Sequence, residues 1–141
     1  MEDETIKLIL RRVHHIALVG ASDRPERASY RVMAYLLEQG YRVTPVSPKL
    51  TGQTLLGQRV YATLADIADP IDMVDVFRNA EAAVSVAQEA IAVGAGVLWL
   101  QLGVISPQAQ AQALAQAAGM QVVMDHCPKI DIPRLGIARE A

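Results

Sequence analysis

Five short aliphatic runs, each closed by a turn, constrain this chain more than any other feature. They are His15–Ala21 (HIALVGA), Tyr41–Val46 (YRVTPV), Asp72–Phe77 (DMVDVF), Val97–Leu102 (VLWLQL) and Gln121–Asp125 (QVVMD). Runs this short and this continuously apolar read as strands buried on both faces. Pro45 lies inside the second run, and a residue without an N–H belongs at a strand end or on an edge strand. Helix-patterned sequence separates the runs. Ser29–Gln39 carries Val32, Met33, Leu36 and Leu37 at helical spacing and stops at Gly40, a residue type common just past a helix end. Glu81–Val93 is an Ala-rich helix ending before Gly94. Pro107–Ala118 is a helix with Pro in its first turn, Ser106 as its cap and Gly119 behind it. Glu2–Arg12 reads as an N-terminal helix, Leu64, Ile67 and Ala68 as a short one before Pro70, and Cys127–Arg139 as a loop-rich tail. Strands alternating with helices predict an α/β fold, a doubly wound parallel five-stranded sheet with helices on both faces.

Composition agrees. Hydrophobic residues are 52% of the chain but aromatics only 4%, so the core is aliphatic. A length of 141 residues suits one domain, taken as 1–141 with an N-terminal helix over 1–13 and a tail over 127–141. The formal net charge of −2 lacks the basic excess of a nucleic-acid binder. The acidic start MEDE is no secretory leader, and the apolar runs fall short of the ~20 residues a membrane span needs. A cytoplasmic protein with no membrane partner is expected. Cys127 is the single cysteine, which excludes an internal disulfide.

Doubly wound sheets bind ligands beyond the carboxyl ends of their strands, so the residues at the five tips matter most. After the first strand come Gly20, Ala21, Ser22, Arg24, Arg27 and Ser29. This is either a phosphate-holding turn leading into a helix N-terminus or an ordinary strand-to-helix connection. After the second come Ser47, Pro48 and Lys49, where dinucleotide domains that read a free ribose hydroxyl place an acid. A lysine there suits an extra ribose phosphate, or is simply a solvated side chain. After the third come Val76, Phe77 and Arg78. Phe77, the chain's one phenylalanine, is either a wall of an adenine pocket or core. Gln101 and Gly103 follow the fourth strand, and Gln101 needs a hydrogen-bond partner, backbone or ligand. Trp99 reads as packing. His126 and Cys127 follow the fifth, but neighbours on an extended chain face opposite ways, so His126 is badly placed to activate the thiol. His14, His15 and His126 with one Cys form no metal pattern. No catalytic residue is assigned.

Six segments in order, VGAS (19–22), SYRVMAYLLEQGY (29–41), VSPK (46–49), DMVDVFR (72–78), VLWLQLG (97–103) and MDHCPK (124–129), resemble the small bacterial CoA-binding domain proteins. These are stand-alone relatives of the CoA-binding domain of the succinyl-CoA synthetase alpha subunit. The resemblance implies a Rossmann-like domain that binds coenzyme A or an acyl-CoA. Gly20, Ala21 and Ser22 would hold the pyrophosphate or pantetheine side, and Lys49 would lie near the CoA phosphates. Val76, Phe77 and Arg78 would flank the adenosine and pantetheine path. Cys127-Pro128 matches an Asn-Cys-Pro segment of the larger relatives with His126 in place of Asn, and Ser47 stands where the small family often has Asn. The synthetases carry their phosphohistidine in a second domain, so none of the three His takes that role. The expected function is CoA binding without chemistry of its own. The alternatives are an NADP-dependent reductase, a component of an acyl-CoA ligase, or a CoA-sensing regulatory subunit whose protein partner the sequence does not identify.

Overall fold

The computed structural model describes residues 2–101 and 114–137. In chain order the elements are α1 (Asp3–Arg12), β1 (His15–Val19), α2 (Ala28–Glu38), β2 (Arg42–Val46), the two-residue strands β3 (Thr54–Leu55) and β4 (Gln58–Arg59), β5 (Met73–Val76), α3 (Ala80–Ala92), β6 (Val97–Leu100), β7 (Gln121–Met124) and α4 (Pro128–Arg134). Single 3-10 turns occupy Pro48–Leu50 and Leu64–Asp66. Residues 114–117 are helical; the rest of the expected helix Pro107–Ala118, with Ser106 and Gly103, lies outside the described residues.

The five long strands form one parallel sheet in the order β2-β1-β5-β6-β7. This is the expected Rossmann-like doubly wound α/β fold. Alternation along β1 explains why residues 16–19 are apolar without interruption. Ile16 and Leu18 enter a core with Ile6 and Leu10 of α1, Met33 and Leu36 of α2, and Ile132 of α4. Ala17 and Val19 enter the opposite core with Ala83, Ala87 and Ala90 of α3. Both faces are covered, so no position needs a polar residue. The alanine face of α3 brings that helix close to the sheet. Pro45 sits in β2, which is an edge strand, and its carbonyl accepts from Tyr61 N–H at 3.1 Å.

Two expectations are corrected. The strands end before the apolar runs do: Gly20, Ala21, Phe77, Gln101 and Asp125 all leave the sheet. The N–H groups of Gly20 and Ala21 turn back onto the Val46 carbonyl at 3.0 and 3.2 Å, and Asp125 adopts φ +58°. The C-terminal tail is not mainly loop. Pro128 opens α4, where a missing N–H costs nothing, and Arg134 reaches back to Asp3 of α1. Only seven residues with two prolines hid that helix from a periodicity reading. The Gly- and Thr-rich connection 50–62 carries the β3–β4 hairpin, with Leu56 and Gly57 both at positive φ as a tight two-residue turn demands.

Candidate functional site

The chain leaves β2 on one side of β1 and enters β5 on the other, so the strand order reverses between β1 and β5. Above that reversal the strands' carboxyl ends part into a cleft of about 540 Å³. Its floor is set by one close approach. Gly20 has φ +92°, and a Cβ there would lie 2.7 Å from the Phe77 carbonyl oxygen. Only glycine fits, and it does so twice over, by conformation and by space.

The cleft gathers Gly20, Ala21, Ser22 and Arg24 of the first loop, Ser29 of α2, Ser47 and Lys49 beyond β2, and Phe77 beyond β5. All were candidates from the sequence. Arg27, read with the first tip, lines it too; Asp23, Ala28 and Leu50 also line it and were not singled out, their one sequence signal being membership of the same two tips. Four candidates lie off the lining. Pro48 is exposed and opens a 3-10 turn, and the Val76 side chain is fully buried in the α3-side core. Arg78 is exposed at the rim, its Cδ 3.2 Å from where a Gly20 Cβ would be. Gln101 is buried beneath, its side-chain amide 2.6 Å from the Asp75 carboxyl when oriented to donate. Asp75 lies on the central strand between Leu18 and Trp99, fully buried, and burial holds its carboxyl well above the ordinary value of 3.8.

The electrostatics of the cleft oppose those of the molecule. On a chain of net charge −2, the lining carries Arg24, Arg27 and Lys49 against one carboxylate, Asp23. None of the four forms an ion pair among the described residues. The donors come from an unexpected quarter. Because Gly20 and Ala21 spend their N–H groups on Val46, the loop shapes the cleft but offers no amides from these two residues. The start of α2 does. Arg27 is its N-cap, no side chain caps it, and no acid sits in its first turn. The first-turn N–H groups therefore remain available, with the positive end of the helix dipole behind them. Ser29 and Ser47 add buried hydroxyls, 6% and 7% exposed, with no side-chain partner among the described residues. Both line the cleft, where each hydroxyl can donate to or accept from a polar ligand.

The histidine and cysteine beyond β7 are engaged elsewhere. Cys127 is 8% exposed and packs in the α1/α2-side core. His126 Nδ1 meets Asp131 Oδ2 at 2.9 Å, and the His126 carbonyl accepts from Trp99 Nε1 at 2.9 Å. Asp131 also accepts from Arg134. Neither His126 nor Cys127 lines the cleft. Among the described residues no group of three or more His, Cys, Asp or Glu could hold a metal ion, and no helix is long and apolar enough to cross a membrane.

Residues 14–133 match a family model described as a CoA binding domain. The Bacillus subtilis protein YneT is 38% identical over 125 residues, covering 89% of this chain and 90% of its own. A solved structure of a Pyrococcus horikoshii protein is 39% identical, with a TM-score of 0.91, over 97% of this chain and 94% of that one. The fold also recurs within a larger enzyme, the dinucleotide-forming acetyl-coenzyme A synthetase 1 of Candidatus Korarchaeum cryptofilum. It has a TM-score of 0.70 at 22% identity and covers 83% of this chain but 27% of that one.

Proposed function

The chain belongs to the CoA-binding domain family, and from that premise we propose that the cleft between β1 and β5 binds coenzyme A or an acyl-CoA. The observation that carries this reading is the pairing of a positive lining with two buried, unpartnered serine hydroxyls at an uncapped helix start. The volume suits a nucleotide-sized ligand. The pyrophosphate sits against the first turn of α2, with Ser29, Arg24 and Arg27 as donors. Lys49 and Ser47 meet the phosphate on the ribose, and Phe77 and Arg78 flank the adenosine. The ligand's thiol arm leaves over the open side. In this reading the role is binding without catalysis of its own.

Titration calorimetry with CoA, dephospho-CoA, NADP and NAD tests the reading. CoA is expected to bind most tightly, and dephospho-CoA and NAD more weakly because each lacks the ribose phosphate. NAD binding as well as CoA refutes it.

A further inference from the structure

A carboxyl group lies in the sheet beneath the cleft. On β5, Val74 and Val76 face the α3-side core and Met73 faces the opposite one, so Asp75 points to the side that carries α2. Phe77, two residues on, lines the cleft, which puts Asp75 about 7 Å below that wall. Its neighbours in register are Leu18 of β1 and Trp99 of β6. The titratable groups on this side are engaged elsewhere or neutral. Tyr41 donates its hydroxyl to the Leu10 carbonyl, Cys127 is packed in the core, and His126, edge-on to Trp99, meets Asp131, which also holds Arg134. Arg24, Arg27 and Lys49 lie above, in the cleft lining. Among the described residues Asp75 forms no ion pair, and burial is the cause that raises its carboxyl. Its polar partner is Gln101, itself 6% exposed. The Gln101 N–H donates to the Val76 carbonyl at 3.4 Å, and its amide end lies 2.6 Å from Asp75 Oδ1 and 3.3 Å from Oδ2.

A contact of 2.6 Å is short for an amide N–H on a carboxylate and ordinary for an O–H on a carbonyl oxygen. With the amide turned the other way, a protonated Asp75 donates its O–H to Gln101 Oε1. A fully buried site with no cation beside it then has no charge to hold. We propose that Asp75 is a neutral acid paired with Gln101, and that this neutrality sets the affinity of the cleft for an anionic ligand. The inference rests on the CoA reading of the cleft. Asp75 and Gln101 are positioning residues: the pair ties the β5 tip, which runs on into Phe77, to the exit of β6. A proton lost from Asp75 leaves a carboxylate about 10 Å below the ligand's phosphates, in surroundings that screen poorly, and it opposes Arg24, Arg27 and Lys49. The linkage is reciprocal, so a bound anion makes Asp75 harder to ionise.

Calorimetric CoA affinities of the native protein and of Asp75→Asn, compared from about pH 5 to about pH 9, test the coupling. The titration of CoA itself is common to both proteins and cancels in their ratio. Asparagine keeps a neutral partner for Gln101, so the native protein is expected to fall about fivefold behind the variant as pH rises and Asp75 ionises. A ratio that does not change with pH overturns the proposal while leaving the CoA reading intact; a merely structural role for Asp75 gives that result, and so does a carboxylate charged throughout. If Asp75→Asn does not fold, the carbonyl stretch of the protonated carboxyl decides instead, read by infrared spectroscopy on native protein carrying isotope-labelled aspartate. Saturating CoA should restore that band at the pH where it is half lost, and an unchanged band overturns the proposal. Failure of CoA to bind at any pH removes the CoA reading and the coupling with it, whereas absence of the band at neutral pH overturns the neutral acid alone.

Discussion

Replacing Gly20 by alanine perturbs the floor of the cleft by one methyl group, and the structure allows its cost to be separated into two parts. The new Cβ would stand 2.7 Å from the Phe77 carbonyl oxygen and 2.9 Å from its carbon, both far inside van der Waals contact. Those are backbone atoms, held by Phe77 N–H donating to the Val19 carbonyl at 2.8 Å, so no side-chain rotation relieves the clash. Parting the β1 and β5 tips costs about 2 kcal/mol, typical of forced overpacking. The φ of +92° adds about 1 kcal/mol for any residue with a Cβ. The expected total is about 3 kcal/mol, or a fall of about 1.5 M in the urea midpoint. Gly52→Ala is the control. It has φ +82° but nothing within 4 Å of its would-be Cβ, so it carries the conformational cost of about 1 kcal/mol alone. Urea unfolding of both variants beside the native protein isolates the steric part. Equal losses at the two sites would refute the claim that the β1 and β5 tips approach too closely for a side chain. A Gly20→Ala protein that still folds should also bind CoA more weakly, because its Phe77 tip is displaced.

Ser29→Ala removes a buried hydroxyl that has no protein partner among the described residues. Its stability, read by urea unfolding, should stay within about 0.5 kcal/mol of native, while CoA affinity falls about fivefold. Lys49→Ala should leave folding unchanged and shrink the CoA-to-dephospho-CoA affinity ratio by about fivefold in calorimetry, the worth of one charge-assisted contact at an open site. Asp75 supplies a pH signature. Burial raises its carboxyl well above 3.8, so across the interval from that value up to the folded-state one the native protein retains a proton that the unfolded chain releases. Stability from this group is complete below about pH 4 and declines as pH rises through the folded-state value. Asp75→Asn abolishes that decline; urea midpoints of the two proteins compared from pH 4 to pH 8 should draw apart with pH, and a constant difference sinks the argument.

Much of the molecule was legible in its residues because the signals were local. Continuous apolar runs mark strands covered on both sides whatever their order. Gly40 and Gly94 mark helix ends by their own conformational freedom. A lysine three residues past Val46 marks a tip without the usual acid. The concealed features are those in which one segment decides the fate of another. The seven residues of α4 hold too few turns and too many prolines to announce a helix; packing of Ile132 into the α1/α2-side core stabilises it. Asp23 and Leu50 look like surface residues until the loop and the β2 tip meet. Gln101 calls for a hydrogen-bond partner, and only the fold shows that its amide neighbours Asp75, two places earlier in register on the adjacent strand.

The chain's own chemistry therefore determined the class of fold, the places where strands stop and the residue types at each stop. Hydrophobic burial depends on composition and spacing, and both can be read along a line. Only the tertiary structure decided which stops converge. The order β2-β1-β5 sets Gly20 against Phe77 and turns the Gly20 and Ala21 amides toward Val46. The uncapped start of α2, with two buried serines, is then left as the polar part of the cleft. Those outcomes depend on contacts between residues far apart in sequence, and the spacing of residues along a chain does not record them.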